Sequence, residues 1–272
     1  MSAKSSGKNP TDRRSQKFNT YWVLSLLDVL AIMAWGVLLL KYWLTGKLNL
    51  LIHPNYFWLA VVTGVLLLVV GILKAMQVIW TLRQRGKGAR RSNPPTVAHI
   101  SLFPPGWSNA LLLATAIVGL VVTPKAFSSQ TAIARGLTET VTLTRSQPQA
   151  FRSSIKPEER SLIDWVRTLN VYPEPDAYTG QKVKVQGFVV HSPELPAQYM
   201  LLSRFVITCC AADAYPVGLP VKLNQDRKAY APDTWLEIKG EMFAEMLQDK
   251  RQLVIEASSL EQITEPKNPY YY

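Results

Sequence analysis

Three apolar runs bracketed by basic residues, a lopsided charge distribution and a switch from helical to two-residue periodicity near residue 180 predict the fold class. It is a membrane α-helical N-terminal part with three spans, joined to a soluble, mostly-β small domain with a preceding helix. The charge sets the frame. Residues 1–123 hold 13 Lys and Arg but only the acids Asp12 and Asp28, whereas residues 124–272 hold 17 of each sign. The net charge of +11 therefore belongs to the N-terminal part. A nucleic-acid module needs a basic surface to neutralise phosphates, and the part that could fold in water has no basic excess, so no nucleic-acid partner is expected.

The first span is Tyr21 to Leu40, YWVLSLLDVLAIMAWGVLLL, 20 residues interrupted only by Asp28. At about 1.5 Å per residue it crosses a hydrocarbon core of roughly 30 Å. Tyr21 and Trp22 at one end and Tyr42 and Trp43 at the other suit an interfacial belt. The run is too long, and its basic leader too extended, for a cleaved signal peptide. The second span is Tyr56 to Leu73, followed by Lys74, which can snorkel to the interface. The third, Trp107 to Val122, is shorter and needs its flanks to reach across; Pro104-Pro105 and Pro124 bound it.

Loop charges orient the spans. Residues 1–20 form a basic tail with five Lys and Arg, and the loop after the second span has five more, Arg83, Arg85, Lys87, Arg90 and Arg91. Between the first two spans lie only Lys41 and Lys47. The positive-inside rule puts the N-terminus in the cytoplasm, and three spans then put everything after about residue 124 outside. Membrane lipid is the first expected partner of residues 21–124. Asp28 is an intramembrane polar residue, costly by roughly 2.5–3.5 kcal/mol at a helix centre and so a functional candidate. The plainer reading is that it reaches water or a polar group and guides helix association. Three helices with one acid do not line a pathway by themselves.

Residues 125–152 read as a polar connector and residues 153–272 as a helix plus barrel domain. A helix is predicted from Ser154 or Lys156 through PEERSLIDWVRTLN, with Pro157 in its first turn, Glu158 and Glu159 at its dipole-positive end, and a stripe of Leu162, Ile163, Trp165, Val166 and Leu169. Strands are predicted at KVKVQGFVV (182–190), MLLSRFVITCC (200–210), PVKL (220–223), TWLEIKGEMF (234–243) and QLVIEASSLEQI (252–263). Gly187 suggests a bulge or bend. Short strands in this number, with the paired phrases VKVQGFV and LEIKGEM, suggest an OB-like barrel of the oligonucleotide/oligosaccharide-binding type, a fold that assigns no function. The tail PKNPYYY is read either as a solvated end or as three tyrosines docked on the barrel or the membrane surface.

The chemistry-bearing stretch is RFVITCCAADA, with both cysteines of the chain, Cys209 and Cys210. If the strand continues through them, Cys209 shares a face with Phe205 and Ile207, and Cys210 faces the other way with Thr208 and Val206. One metal could then take both only if the strand ends or bends there, which Ala211-Ala212-Asp213 permits. The metal reading joins the two thiols with Asp213 and His191 from the end of the neighbouring strand, a donor set suited to zinc or copper(I). The plainer reading is packing, since free cysteine is among the most buried residue types. A redox pair is a third. The three histidines are scattered, and neither a nucleophile constellation nor a phosphate-cradling glycine loop is present, so the chain is not expected to be an enzyme.

With TGKLNLLIHPNYFWL between the first two spans, GQKVKVQGFVV, RFVITCCAADA followed by PVGLPV, WLEIKGEM and the terminal PKNPYYY, the chain resembles the YcgQ-like family of two-component membrane permease complex subunits. The resemblance runs from the first span to the end. It implies an N-terminal membrane part, a barrel-like C-terminal domain, and a separately encoded multi-span integral membrane permease as partner. The chain departs from the family pattern in the loop after the second span, which holds only His99 and is Arg-rich, against a cytoplasmic metal-sensing role there. The leading expectation is a non-enzymatic accessory subunit whose outer barrel assists or gates the permease. The alternative is a membrane-anchored extracytoplasmic protein that binds a metal or small ligand.

Overall fold

The computed structural model describes residues 10–85, 106–137 and 156–272. The start of the basic tail, the Arg-rich loop with His99 and the Pro104-Pro105 pair, residues 138–152 of the connector, and residues 153–155 with the expected helix start at Ser154 lie outside the described residues. The chain divides into two compact units: Met1–Leu48 with Asn55–Pro124, and Asn49–Pro54 with Lys125–Tyr272.

The first unit is helical: α1 (Pro10–Leu44), α2 (Phe57–Arg85) and α3 (Trp107–Val121). Among the described residues, two segments are long and apolar enough to cross a membrane, Trp22–Leu44 and Pro54–Arg83. Both run past the C-terminal ends of the expected apolar stretches, the first as far as the turn at Thr45-Gly46. At 15 residues α3 is shorter, about 22 Å of helix against a core of roughly 30 Å.

Small residues let these helices approach. A Cβ on Gly36 would lie 2.9 Å from Leu68, one on Gly64 3.2 Å from Leu40, and one on Gly71 2.6 Å from Met33. These pairings run in opposite senses along the two helices, so α1 and α2 form an antiparallel hairpin of the small-residue type. Helix α3 lies along α1 in the same direction. Gly106 faces Leu24, the indole of Trp35 donates to the Leu112 carbonyl (3.0 Å), and Gly119 faces Leu38. At the C-terminal end of α3, Lys41 Nζ donates to the Leu120 carbonyl (2.7 Å) and the Tyr42 hydroxyl to that of Gly119 (2.5 Å). Side chains of α1 thus satisfy carbonyls that the last turn of α3 leaves open, and the lysine complements its dipole.

Asp28 has a partner within this unit: it forms an ion pair with Lys74 of α2. The lysine expected to snorkel is instead drawn to the carboxylate, since two opposite charges in a poorly solvated hairpin cost less together than apart. Replacing Asp28 by Asn or Lys74 by Met strands one charge. Either variant is expected to lose about 3 kcal/mol, read as earlier thermal aggregation in detergent, and the double reversal D28K/K74D to recover most of it. Additive losses in the double variant would refute the pairing.

The second unit begins with α4 (Ser129–Ala134) and α5 (Leu162–Val171). The single helix expected from about residue 154 is split. Pro157–Glu159 form a 3-10 turn, and α5 starts afresh at a capping box in which Ser161 Oγ accepts from the Asp164 amide (3.3 Å) and Asp164 accepts from the Ser161 amide (3.1 Å). That reciprocal cap is the stronger start signal, because Lys156 offers no side-chain acceptor.

The strands are β1 (Lys182–Val190), β2 (Tyr199–Val206), β3 (Tyr215–Lys222), β4 (Trp235–Leu247), β5 (Lys250–Gln262) and the short β6 (Tyr270–Tyr271). Five of them close into a ring in the order β1-β2-β3-β5-β4, with β3 and β5 parallel at Val221–Ile255 and Lys222–Glu256. Closure requires bends at glycine. β1 pairs with β4 along 182–188 and with β2 along 188–190, and a Cβ on Gly187 would sit 2.6 Å from the Ser203 carbonyl. β4 carries a register shift at Lys239/Gly240, where a Cβ on Gly240 would lie 2.0 Å from the Glu256 carbonyl.

Two apolar clusters fill the unit. Inside the ring, Val183, Val185, Met200, Leu202, Leu219, Leu236, Ile238 and Ile255 meet Leu162, Ile163, Trp165 and Val166 of α5. On the outer face, Phe188, Val190, Leu201, Phe205 and Trp235 meet Ala132, Leu137, Leu50 and Tyr270. Strand β2 is therefore buried on both faces, which is why MLLSRFV reads as a continuous apolar run. Parts of the connector, the inter-helical loop and the tail cover its outer side.

Candidate functional site at the paired cysteines

Strand β2 ends at Val206, so Cys209 and Cys210 are not strand residues. Ile207 still donates its amide to the Tyr271 carbonyl (2.9 Å), and the chain then turns because Asp213 collects the next donors. Its Oδ2 accepts from the Thr208 hydroxyl and from the Cys209 amide (2.8 Å), and its Oδ1 from the Cys210 amide (3.2 Å). The 3-10 turn Ala211–Asp213 follows, and the Asp213 amide donates in return to the Cys210 carbonyl (3.1 Å). Amides that would have extended the ladder are spent on a carboxylate, and the alternation expected at 209 and 210 is lost.

Both thiols consequently face the same way. Cys209 is exposed and Cys210 half-buried, so neither serves as core filling. Cys209 Sγ donates to Cys210 Sγ at 3.7 Å. The ligand atoms of Cys209, Cys210 and Asp213 lie within 4.8 Å of one another. His191 is not in this group; its Nε2 is 2.8 Å from the Tyr230 carbonyl, because β1 delivers it to the loop before β4. Arg204 lies at the tail instead. It donates to the carbonyls of Asn268 (2.6 Å) and Pro269 (3.2 Å) and lies over the Tyr271 ring.

The turn is held by three further segments. Residues 49–54 run beside it: Ala211 donates its amide to the Leu51 carbonyl (2.8 Å), His53 donates to that of Cys209 (3.0 Å), and Ile52 bridges Cys210. Arg135, just after α4, donates to the carbonyls of Ala211 (3.3 Å) and Ala214. From the tail, the Tyr272 hydroxyl donates to the Asn49 carbonyl (2.9 Å) and its ring meets His53 edge-on, with centroids 5.3 Å apart. The terminal tyrosines are docked on the β unit rather than solvated, and burial pushes the Tyr272 hydroxyl up to about 12. The part played by 49–54 has no local sequence signal; only its presence in the TGKLNLLIHPNYFWL stretch marked it.

Electrostatics follow from these contacts. Burial pulls the Asp213 carboxyl upward, but the bonds from Thr208, Cys209 and Cys210 together outweigh it and hold the group down at about 2. The hydrogen bond to Asp213, then that to Cys210, pushes the Cys209 thiol up to about 11. An exposed thiol is thus kept protonated into the alkaline range by an adjacent carboxylate. A cleft of about 700 Å³ elsewhere on the unit is lined by Lys182, Lys184 and Lys239 together with Glu158, Glu241 and Glu256, a surface of mixed sign.

The helical unit and the ring-shaped β unit with its thiol turn define a membrane-associated chain carrying a compact β domain. The comparisons are consistent with that division. Residues 27–138 match the DUF1980 N-terminal domain and residues 141–272 the DUF1980 C-terminal domain, so the chain carries both DUF1980 domains in succession. A Streptococcus mutans serotype c protein named "Putative two-component membrane permease complex subunit" is 31% identical over 104 residues, 38% of this chain and 37% of that protein. The "UPF0703 protein YcgQ" of Bacillus subtilis strain 168 is 25% identical over 133 residues, 47% of this chain and 46% of that protein. The chain thus spans less than half the length of these relatives, and the family resemblance read from the motifs agrees with both names.

Exposure combined with protonation makes a measurable prediction. At pH 8, Cys209 should react slowly with iodoacetamide, and Asp213→Asn should speed its alkylation on the order of tenfold, since a larger thiolate fraction outweighs lower nucleophilicity. Site-resolved mass spectrometry gives the rate. Equal rates in the two proteins would refute the carboxylate's role.

Proposed function

We propose that this chain is a non-enzymatic accessory subunit of a two-component membrane permease, with an extracytoplasmic β-barrel domain that assists or gates a separately encoded multi-span permease. The carrying observation is the pair of DUF1980 domains, together with the likeness to a relative named as a subunit of such a complex. The helical unit adds support. Its outward apolar surface on α2, including Trp58, Leu59, Val62, Leu66, Val69 and Leu73, suits lipid or the helices of a partner, and Asp28, the acid within the first span, is paired with Lys74.

Three spans remain the reading we favour. Helix α3 runs parallel to α1 beside residues 24–42, a stretch of about 27 Å, so with its flanks it follows α1 across most of a bilayer. Residues 45 and 122 then leave the helical unit at the same end, while α1 begins and α2 ends at the other. By the positive-inside rule the β unit is extracytoplasmic. Its ring order β1-β2-β3-β5-β4, with one parallel closure and a helix against the core, supports the OB-like reading. A second reading, a membrane-anchored extracytoplasmic protein that binds a metal or small ligand, is favoured by the pairing of exposed Cys209 with half-buried Cys210.

Two measurements test this. Tagged chain, gently solubilised from its native membrane, should bring down one multi-span protein at near-equal amount; a chain that comes alone under crosslinking refutes the subunit reading. Alkaline phosphatase fused after Tyr272 should be active in a bacterial host, and an inactive but expressed fusion would put the domain inside.

A further inference from the structure

The two thiols are arranged in a way that packing does not require. Two thiolates on one tetrahedral zinc, each at about 2.3 Å, lie about 3.8 Å apart. Cys209 Sγ and Cys210 Sγ are 3.7 Å apart, whereas a disulfide needs about 2.05 Å. The separation is that of two donors around one cation. A third donor is at hand in Asp213, whose ligand atom lies within 4.8 Å of both sulfurs.

We propose that Cys209, Cys210 and Asp213 bind one thiophilic divalent cation of the zinc class, and that loading stiffens the inter-helical segment Asn49–Pro54. The inference does not depend on a permease partner; it concerns this chain's own turn. The Cys209 thiol now donates to the Cys210 sulfur, and a cation replaces its proton at the point where the three donors converge. On loading, both S–H bonds break, each sulfur gives its electron pair to the cation, and two protons leave to solvent with no change of oxidation state. Two thiolates, a carboxylate and a divalent cation leave one negative charge, offset by the Arg135 guanidinium bonded to Ala211 and Ala214.

Pre-organisation is the second argument. The turn is pinned through Leu51, His53, Arg135 and Asp213 itself, so binding does little backbone work. Three protein donors leave the fourth tetrahedral position open, which suits exchange with an incoming ligand more than a closed structural site. The same hydrogen bonds provide the coupling. Leu51 and His53 bond directly to Ala211 and Cys209, so a cation that immobilises the sulfurs immobilises residues 49–54, the link between α1 and α2.

The test uses the full chain in detergent with Cd2+ and Zn2+ as probes. One Cd2+ per chain is expected, by elemental analysis after gel filtration, with an ultraviolet thiolate-to-cadmium charge-transfer band, while Mg2+ does not compete. Cys209→Ser with Cys210→Ser should abolish the band, Asp213→Asn should weaken binding tenfold or more, and His191→Ala should leave it unchanged. Should the double variant misfold by circular dichroism, N-ethylmaleimide treatment of the folded native chain replaces it and should block binding equally. Cd2+ should also slow amide exchange in residues 49–54 by tenfold or more. Absence of the band, full binding after thiol loss or blocking, or exchange in 49–54 indifferent to Cd2+ would each overturn the proposal.

Discussion

Everything distinctive about the β unit depends on the hydrogen bonds that join residues 51–53 to the turn at 209–211. Through them a segment more than 150 positions away in the chain becomes part of the domain that holds the cysteines. A buried backbone donor or acceptor without a partner costs about 1–3 kcal/mol, and here the partners come from the loop between two apolar helices. The β unit is therefore not a detachable C-terminal domain: Leu50 lies in its outer apolar cluster, and Asn49 receives the hydroxyl of the last residue, Tyr272.

That dependence explains the double coverage of β2. A five-stranded ring with one apolar interior would leave Phe188, Phe205 and Trp235 on a bare outer face. Instead Phe127, Leu137 and Tyr270 pack there, and Arg204 bridges the tail by donating to Asn268 and Pro269. Phe205 stacks on Phe188 with centroids 5.7 Å apart and meets Tyr270 edge-on, the aromatic geometries that add to area burial. The tail, the connector and the inter-helical loop act together as a second layer, and the thiol turn sits where all three meet the end of β2.

In the helical unit one ion pair and a few glycines carry the same weight. Without a hydrophobic drive between helices in lipid, close backbone approach at Gly36, Gly64 and Gly71 gives dispersion contacts that bulkier residues would prevent. Lys74 answers Asp28, so the acid within the first span joins α1 to α2.

Periodicity and composition were enough to locate the apolar helices, α5, and the strands around 182–190, 200–206, 220–222, 235–243 and 252–262, because burial on one or both faces writes itself into local pattern. The thiols, Asp213 and the glycine bends were likewise visible as candidates. Local pattern could not decide where β2 stops, since ITCC alternates plausibly as strand; Asp213 ends it by capturing amides two shells of sequence away from the apolar run. Nor could it separate His191, which goes to Tyr230, from a place beside the sulfurs, or find Lys74 as the partner of Asp28. Tertiary structure alone brought Leu51, His53 and Arg135 to the cysteine turn, because hydrogen bonds between segments far apart in the chain leave no trace in the spacing of either one.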